Sequence, residues 1–180
     1  MTKGYRYLAK FCQDAVMSGT KRQSLDNIDR QLLDELQRNN RRTLANLAEA
    51  AHTSTSSARR RIDRMRAQGV IEADVSIVSP EVAGVEIIVH VMMQQESSAS
   101  YTKFRKRVMQ ADEVTQCYSV TGESDFILHV RMPDLAEYDT WIEDFILADP
   151  DVRRCDSNVV YSRIKFTTAV PMSKRKEMSP

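Results

Sequence analysis

From Leu25 onward the apolar positions recur at intervals of three and four. In "NIDRQLLDELQRN", Ile28, Leu32, Leu33 and Leu36 share one helical face, Asp26 stands where an N-cap belongs, and Asp29 lies in the favourable first turn. "NNRR" breaks the run. Thr43 then caps "LANLAEAA", which turns Leu44, Leu47, Ala48 and Ala51 inward, and "HTS" turns the chain again. Ser54 caps a third helix with Ala58, Ile62 and Met65 as its apolar stripe, and Gly69 closes it in the left-handed conformation of a helix C-terminus. "VIEADVSIV" shows the period-two alternation of a wing or linker strand.

After Gly84 the pattern changes. "VEIIVHVMM" reads as a buried strand, and "SYTKFRKRVMQA" as a helix with Tyr101, Phe104 and Val108 on one side. "VTQCYSV" and "DFILHVRM" read as strands joined by the tight turn "TGES". Pro133 and Asp134 start a helix with Glu137 placed for a capping box, and "VRRCDSNVVYSRIKF" reads as a last strand. The order βαββαβ is the ferredoxin-like split arrangement. Helices cover one face of its antiparallel sheet, and the other face can pair with a second copy. The chain is therefore expected to be α+β. An N-terminal winged helix-turn-helix domain spans 25–74, a linker strand 75–84, and a C-terminal ferredoxin-like domain 85–170 whose free sheet face suits oligomerisation. A flexible extension (1–24) and a polar tail (171–180) flank them. Met1 and Met17 are alternative starts.

Composition narrows the class. An apolar content of 42% with 28% charged residues fits a folded soluble chain. No apolar stretch approaches the roughly 20 residues of a membrane span, and no secretory leader is evident. Cys12, Cys117 and Cys155 are scattered and odd in number, which points to reduced thiols in a cytoplasm. The spacings lack CxxC and HxxxH, so neither a metal nor another cofactor is expected. The net charge of +1 conceals an asymmetry: residues 1–70 carry +7, residues 71–170 carry −8 and the last ten +2. A basic unit seeks phosphate and an acidic one avoids it.

The positive charge concentrates on the third helix. With Ala58, Ile62 and Met65 inward, a turn of about 100° per residue places Ser56, Ser57, Arg60 and Arg64 opposite the core, with Arg59 and Arg61 flanking them. The connections match a helix-turn-helix, whose last helix enters a major groove lined with phosphate. The helix N-terminus offers amides to a phosphate, and Ser54, Thr55, Ser56 and Ser57 add small donors. Arg60 and Arg64 are candidates for two-pronged contact with guanine, each worth roughly 1–3 kcal/mol of discrimination. Arg38, Arg41 and Arg42 are candidate backbone contacts, which position without specifying. The alternative is a solvated charged face; the single opposing acid, Asp63, weighs against it.

These residues carry a family resemblance. "LDNIDRQLLDELQRNN", with its LDxIDRxLLxxLQ pattern, and "RIDRMRAQGVI" resemble the N-terminal domain of the leucine-responsive/asparagine-operon (Lrp/AsnC) regulators. "VTQCYSVTGESDFILHVRMPDLAEYDTWI", with its G-x-x-D turn, resembles the effector domain of the same family, and the match runs from about Leu25 to Ala169. The resemblance implies a transcription regulator that binds double-stranded DNA, dimerises through the βαββαβ domain, assembles into octamers and answers to an amino acid. Two-fold dimers would read half-sites about 34 Å or a multiple apart. The resemblance also implies an effector pocket between dimers, bordered by Gly122, Glu123, Ser124 and Asp125 and by Asn158, Val159 and Val160. There Asp125 would accept the ammonium and the glycine turn would offer amides to the carboxylate. Alternatively, Gly122 only makes the turn and Asp125 caps it.

Departures from the family pattern stand at His52–Thr53, where a glycine is usual, and at Ala73–Asp74, where Gly-Tyr is frequent. "GESD" stands for a more acidic turn, and Asn158 replaces an aromatic. Two other readings compete: an architectural nucleoid protein with little sequence preference, and a small enzyme built on the ferredoxin-like half. The isolated His52, His90 and His129 give the latter no acid–base set.

Overall fold

Asp26 begins the first helix, α1 (Asn27–Arg38), with a reciprocal cap: its side chain accepts from the Asp29 amide at 2.9 Å, and the Asp29 carboxylate accepts from the Asp26 amide at 3.2 Å. In the computed structural model, which describes residues 24–95 and 97–172, Thr43 caps α2 (Leu44–Ala50) and Ser54 caps α3 (Thr55–Ala67). The expectations for the start at Met17, for residues 1–23 and for the polar tail beyond Met172 lie outside the described residues.

Both turns after α2 and α3 are Schellman motifs. After α3, Gly69 takes the left-handed position (φ +69°), the Val70 amide bonds the Met65 carbonyl and the Gly69 amide that of Arg66. After α2 the same pattern forms without glycine. His52 has φ +50°, its amide reaches Glu49, and the Thr53 amide reaches Ala48. The three helices enclose Leu32, Leu33, Leu47, Ala48, Ala51, Ala58, Ile62 and Met65. Met172 packs against this core too, and residues from Lys165 belong with the helical unit.

The second unit, Ile77–Ile164, is a four-stranded antiparallel sheet with two helices. Its elements are β1 (Val85–Met93), α4 (Ser98–Val108), β2 (Val114–Ser119), β3 (Phe126–Met132), α5 (Leu135–Ile142) and β4 (Val152–Val159), in sheet order β2-β3-β1-β4. Strict alternation on β3 buries Phe126, Leu128, Val130 and Met132, and Ile87, Val89 and Val91 on β1 join them beneath Phe104, Val108, Tyr138, Ile142 and Ile146. Each such side chain contributes roughly 1.5–3 kcal/mol through burial. The opposite face carries Glu86, Ile88 and His90 beside Ile127, His129 and Arg131, by register. Gly84 (φ +70°) lets the chain enter β1 against the Met132 carbonyl, where a Cβ would collide.

Two expectations are corrected, and one feature is added. Residues 70–79 form no strand, so the wing and linker strand are absent; the alternation is there, but no neighbouring strand takes up its backbone groups. The last strand ends at Val159 instead of continuing to Phe166, because Val160 makes the last bond to β1, at Glu86. Beyond Ile142 the helix widens into a π turn (Glu143–Leu147), and Arg107 donates to the Phe145 carbonyl there.

Candidate nucleic-acid interface and effector turn

Ser54 caps α3 by accepting from the Ser57 amide at 3.2 Å, and its hydroxyl lies 3.2 Å from that of Ser56. The cap leaves the first amides of the helix pointing outward beside exposed Thr55 and Ser56, the arrangement that receives a phosphate. Ala58, Ile62 and Met65 are buried as the spacing requires, and Arg59 and Arg60 are exposed. Neither of these two arginines makes an ion pair among the described residues.

Arg61 and Arg64 have a different environment. The Arg61 guanidinium donates to Asp29 Oδ1 at 2.8 Å and to Asp26 Oδ2 at 2.6 Å; the Arg64 guanidinium donates to Asp29 Oδ2 at 2.7 Å. Asp29 is 1% exposed, Arg61 17% and Arg64 45%. Arg61, expected to flank the groove, is thus a strut between α3 and α1, and its Nε is buried without a hydrogen-bond partner. Arg64, expected to reach bases, is anchored by one nitrogen while nearly half its surface faces solvent. The Asp29 amide and the Arg61 guanidinium hold the Asp26 carboxyl below the usual carboxylate range. Helical spacing could not reveal this clamp, because its partners are 32–35 residues apart.

The loop arginines divide similarly. Arg38 and Arg42 both pair with Glu35, while Arg41 is exposed. Asp63 lies 3.9 Å from Arg66, whose closer partner is Asp74 at 3.0 Å.

In the sheet unit, Gly122 (φ +126°) makes the β2–β3 turn, and a Cβ there would meet nothing. Glu123 is exposed, and Ser124 Oγ lies 3.4 Å from His90 Nδ1. Asp125 is tied down on all sides. Its amide bonds the Val91 carbonyl, its own carbonyl accepts from Val120, Oδ2 accepts from the Met93 amide at 2.7 Å, and Oδ1 accepts from the Tyr101 hydroxyl. Each oxygen of the expected ammonium acceptor therefore already holds a hydrogen bond from the protein, and Glu123 is the turn's outward carboxylate. Tyr101 looked from sequence like part of an apolar stripe; its ring does pack on Phe126, but its hydroxyl closes this network.

The structure does not bring the two groups of candidate effector residues together within one chain. The turn joins β1 at Val91, whereas Asn158 pairs with Ile88, Val159 with Ile87, and Val160 bonds Glu86. Val91 and Glu86 are five residues apart on an extended strand, about 17 Å. At the Val160 end, Glu86 is held by Arg131 and by Arg163 at 2.9 Å. Burial opposes its ionised form, but the Arg163 hydrogen bond and the Arg131 charge outweigh that and keep its carboxyl below the usual range.

Among the described residues no cluster of His, Cys, Asp and Glu could hold a metal ion, and no helix is long and apolar enough to cross a membrane.

Comparison with known proteins places both units. Residues 25–66 match the AsnC-type helix-turn-helix domain, and residues 86–170 match the Lrp/AsnC ligand binding domain. An HTH-type transcriptional regulator of Sinorhizobium fredii is 40% identical over 150 residues, 82% of this chain and 89% of that protein. The DNA-binding transcriptional activator DecR of Escherichia coli is 30% identical over 82% of this chain and 99% of its own length. A transcriptional regulator from Neisseria meningitidis, solved as a complex with L-Met, superposes with a TM-score of 0.78 at 28% identity, covering 83% of this chain and 98% of that one. An AsnC family regulator from Agrobacterium tumefaciens gives a TM-score of 0.76 at 30% identity, covering 82% and 97%. With both of its units matched in order, and with relatives aligned over nearly their full lengths, the chain belongs to the Lrp/AsnC family of transcriptional regulators.

Proposed function

We propose that the protein is a cytoplasmic, sequence-specific regulator that docks α3 in the major groove of double-stranded DNA. Arg60 reads a base edge, Ser56 and Ser57 add contacts beside it, and Arg59 with the first amides of α3 holds phosphate. Arg61 sets the angle of the helix from within, and Arg64 adds whatever its exposed half can reach. The observation that carries this reading is the exposure of Arg60 opposite the buried stripe of a helix-turn-helix, with exposed Arg59 flanking it. Two-fold dimers, themselves assembling into octamers, would present two such helices at once.

We further read the turn Gly122–Asp125 and the strand end Asn158–Val160 as two halves of an amino-acid site that different copies complete, since one chain holds them apart. The Neisseria relative makes L-Met the first amino acid to try. A thermal-shift series with the twenty amino acids tests this half of the reading.

The DNA half is tested with a duplex that the wild-type protein selects from a random pool. Arg60→Ala should lose roughly 1–3 kcal/mol on that duplex at fixed salt and much less on random DNA, with the oligomeric state unchanged. Equal affinity of the wild-type protein for selected and random duplex would favour an architectural role, and an unaltered footprint of Arg60→Ala would remove Arg60 from the interface.

A further inference from the structure

The chain does not end its work where the sheet ends. Residues from Lys165 group with the helical unit, and they attach to one face of α1. The side-chain amide of Gln37 makes both possible bonds with the backbone of Val170: Nε2 donates to the Val170 carbonyl at 3.1 Å, and Oε1 accepts from the Val170 amide at 2.6 Å. Two residues on, the Met172 amide donates to Asp34 Oδ1 at 3.3 Å, and Met172 packs on the helical core. Asp34 and Gln37 are three apart on α1 and so face the same way. Pro171 fixes one backbone dihedral between the two anchors, and Thr167 Oγ1 accepts from the Ala169 amide just before them.

The chemistry of this contact is that of a strand addition in miniature. A glutamine amide is a peptide group on a side chain, and with both of its atoms paired it occupies the donor and acceptor that an adjacent strand would use. Such a contact recognises backbone alone, so the register must come from Met172. No regular element supports residues 160–172, so individual contacts hold the segment: Arg163 on Glu86 near its start, and the Gln37, Asp34 and Met172 contacts at its end.

We propose that the Asp34–Gln37 face of α1 is a docking surface whose occupant is the C-terminal segment 165–172 of the same chain, and that this latch gives the DNA-binding unit a second tether. The first tether is the stretch 70–84, irregular but for one 3-10 turn at Pro80–Val82. The second leaves β4 directly after Asn158 and Val159 and reaches its anchor at Val170 in ten residues, at most about 35 Å. A helical unit held at both ends has less freedom than one on a single linker. The reach of segment 160–170 sets an upper limit on how far α1 can move from the end of β4, and so on how far apart two recognition helices can stand. Only this last consequence rests on the DNA-binding reading.

The test uses the full chain and amide hydrogen exchange. In Gln37→Ala, residues 165–172 should exchange at least tenfold faster, with β3 unchanged; Met172→Ser should do the same. A chain ended after Ile164 should show faster exchange in α1 by a similar factor. Segment 165–172 exchanging at the same rate in the variants as in the wild type would overturn the latch. Co-expression of Gln37→Ala with the chain ended after Ile164 identifies the occupant. Within one chain neither subunit can form the latch, so retained protection of 165–172 would mean that it docks on a second copy and would overturn the proposal as stated. On DNA, the wild type should discriminate half-site spacings by at least tenfold and the shortened chain by less than threefold; equal discrimination would overturn the tether. A wild type that binds no duplex would defeat the DNA reading while leaving the exchange results to judge the latch.

Discussion

Replacing Asp29 by asparagine should loosen the helix-turn-helix more than any single change on its outer surface. The side chain keeps its size and can still accept from the Asp26 amide, so the first turn of α1 stays capped. It loses the charge that faces Arg61 at 2.8 Å and Arg64 at 2.7 Å, and with its oxygen kept at the cap its N–H donors point at the Arg61 guanidinium. Removing one member of a buried ion pair costs about 3–5 kcal/mol when the other charge is stranded. Here the stranding is partial. Arg61 keeps Asp26 at 2.6 Å, and Arg64, 45% exposed, can turn to water, so we expect about 2–3 kcal/mol. Read by hydrogen exchange in the helical unit, that is roughly 30- to 150-fold faster opening of α1 and α3 amides. The sheet unit serves as the internal reference, and Arg60→Ala, which breaks no ion pair, should leave the same amides within about threefold. Exchange in Asp29→Asn within threefold of wild type would show that the clamp is no more than a surface contact and refute the reasoning.

Further outcomes follow from single positions. His52→Gly should raise the stability of the helical unit by about 0.5–1 kcal/mol, because the left-handed conformation costs a β-carbon more than glycine loses in the unfolded chain; denaturant midpoints read the change. Gly84→Ala should cost about 3 kcal/mol or more and selectively lower the sheet unit's melting temperature, since a methyl there meets the Met132 carbonyl at an unfavourable φ. The sheet unit should also weaken in acid. Burial raises the Asp149 carboxyl, but the Asp151 amide and the charges of Arg107 and Lys103 hold it below its ordinary value, and Glu86 is likewise lowered. A carboxyl whose folded value lies below its unfolded one stabilises fully above the ordinary range near 4 and loses that contribution as the pH falls through the folded value. Urea midpoints of the sheet unit should therefore drop below about pH 4, and less so in a doubly neutralised Glu86→Gln, Asp149→Asn protein.

Local chemistry made much of this molecule legible in advance. Asp26, Thr43, Ser54 and Asp134 were recognisable as caps because a cap needs only a polar side chain beside a periodic run, and the alternation in "DFILHVRM" revealed a strand because one face had to be dry. What misled was pattern without a partner. "VIEADVSIV" alternates as well as β3 does, yet Val75, Ile77 and Val78 remain exposed, since alternation does not supply a neighbouring strand. The candidate interface was half legible for a related reason. Helical spacing placed Arg60 and Arg64 on the same side, but only the fold shows that Asp29 draws Arg64 partly back, and that Tyr101 and Met93 occupy Asp125. Long-range ion pairs and a π turn leave no periodic trace.

The separation of the two strand ends has a quantitative corollary. A small molecule gripped by Gly122–Asp125 and by Asn158–Val160 together would have to bridge polypeptides, so its uptake is a third-order event in disguise: ligand plus two subunit surfaces. Its half-saturation point would slide downward as more protein is added, until assembly is complete. Diluted below that level, the same sequence would go deaf to its signal without a single bond in either half being altered.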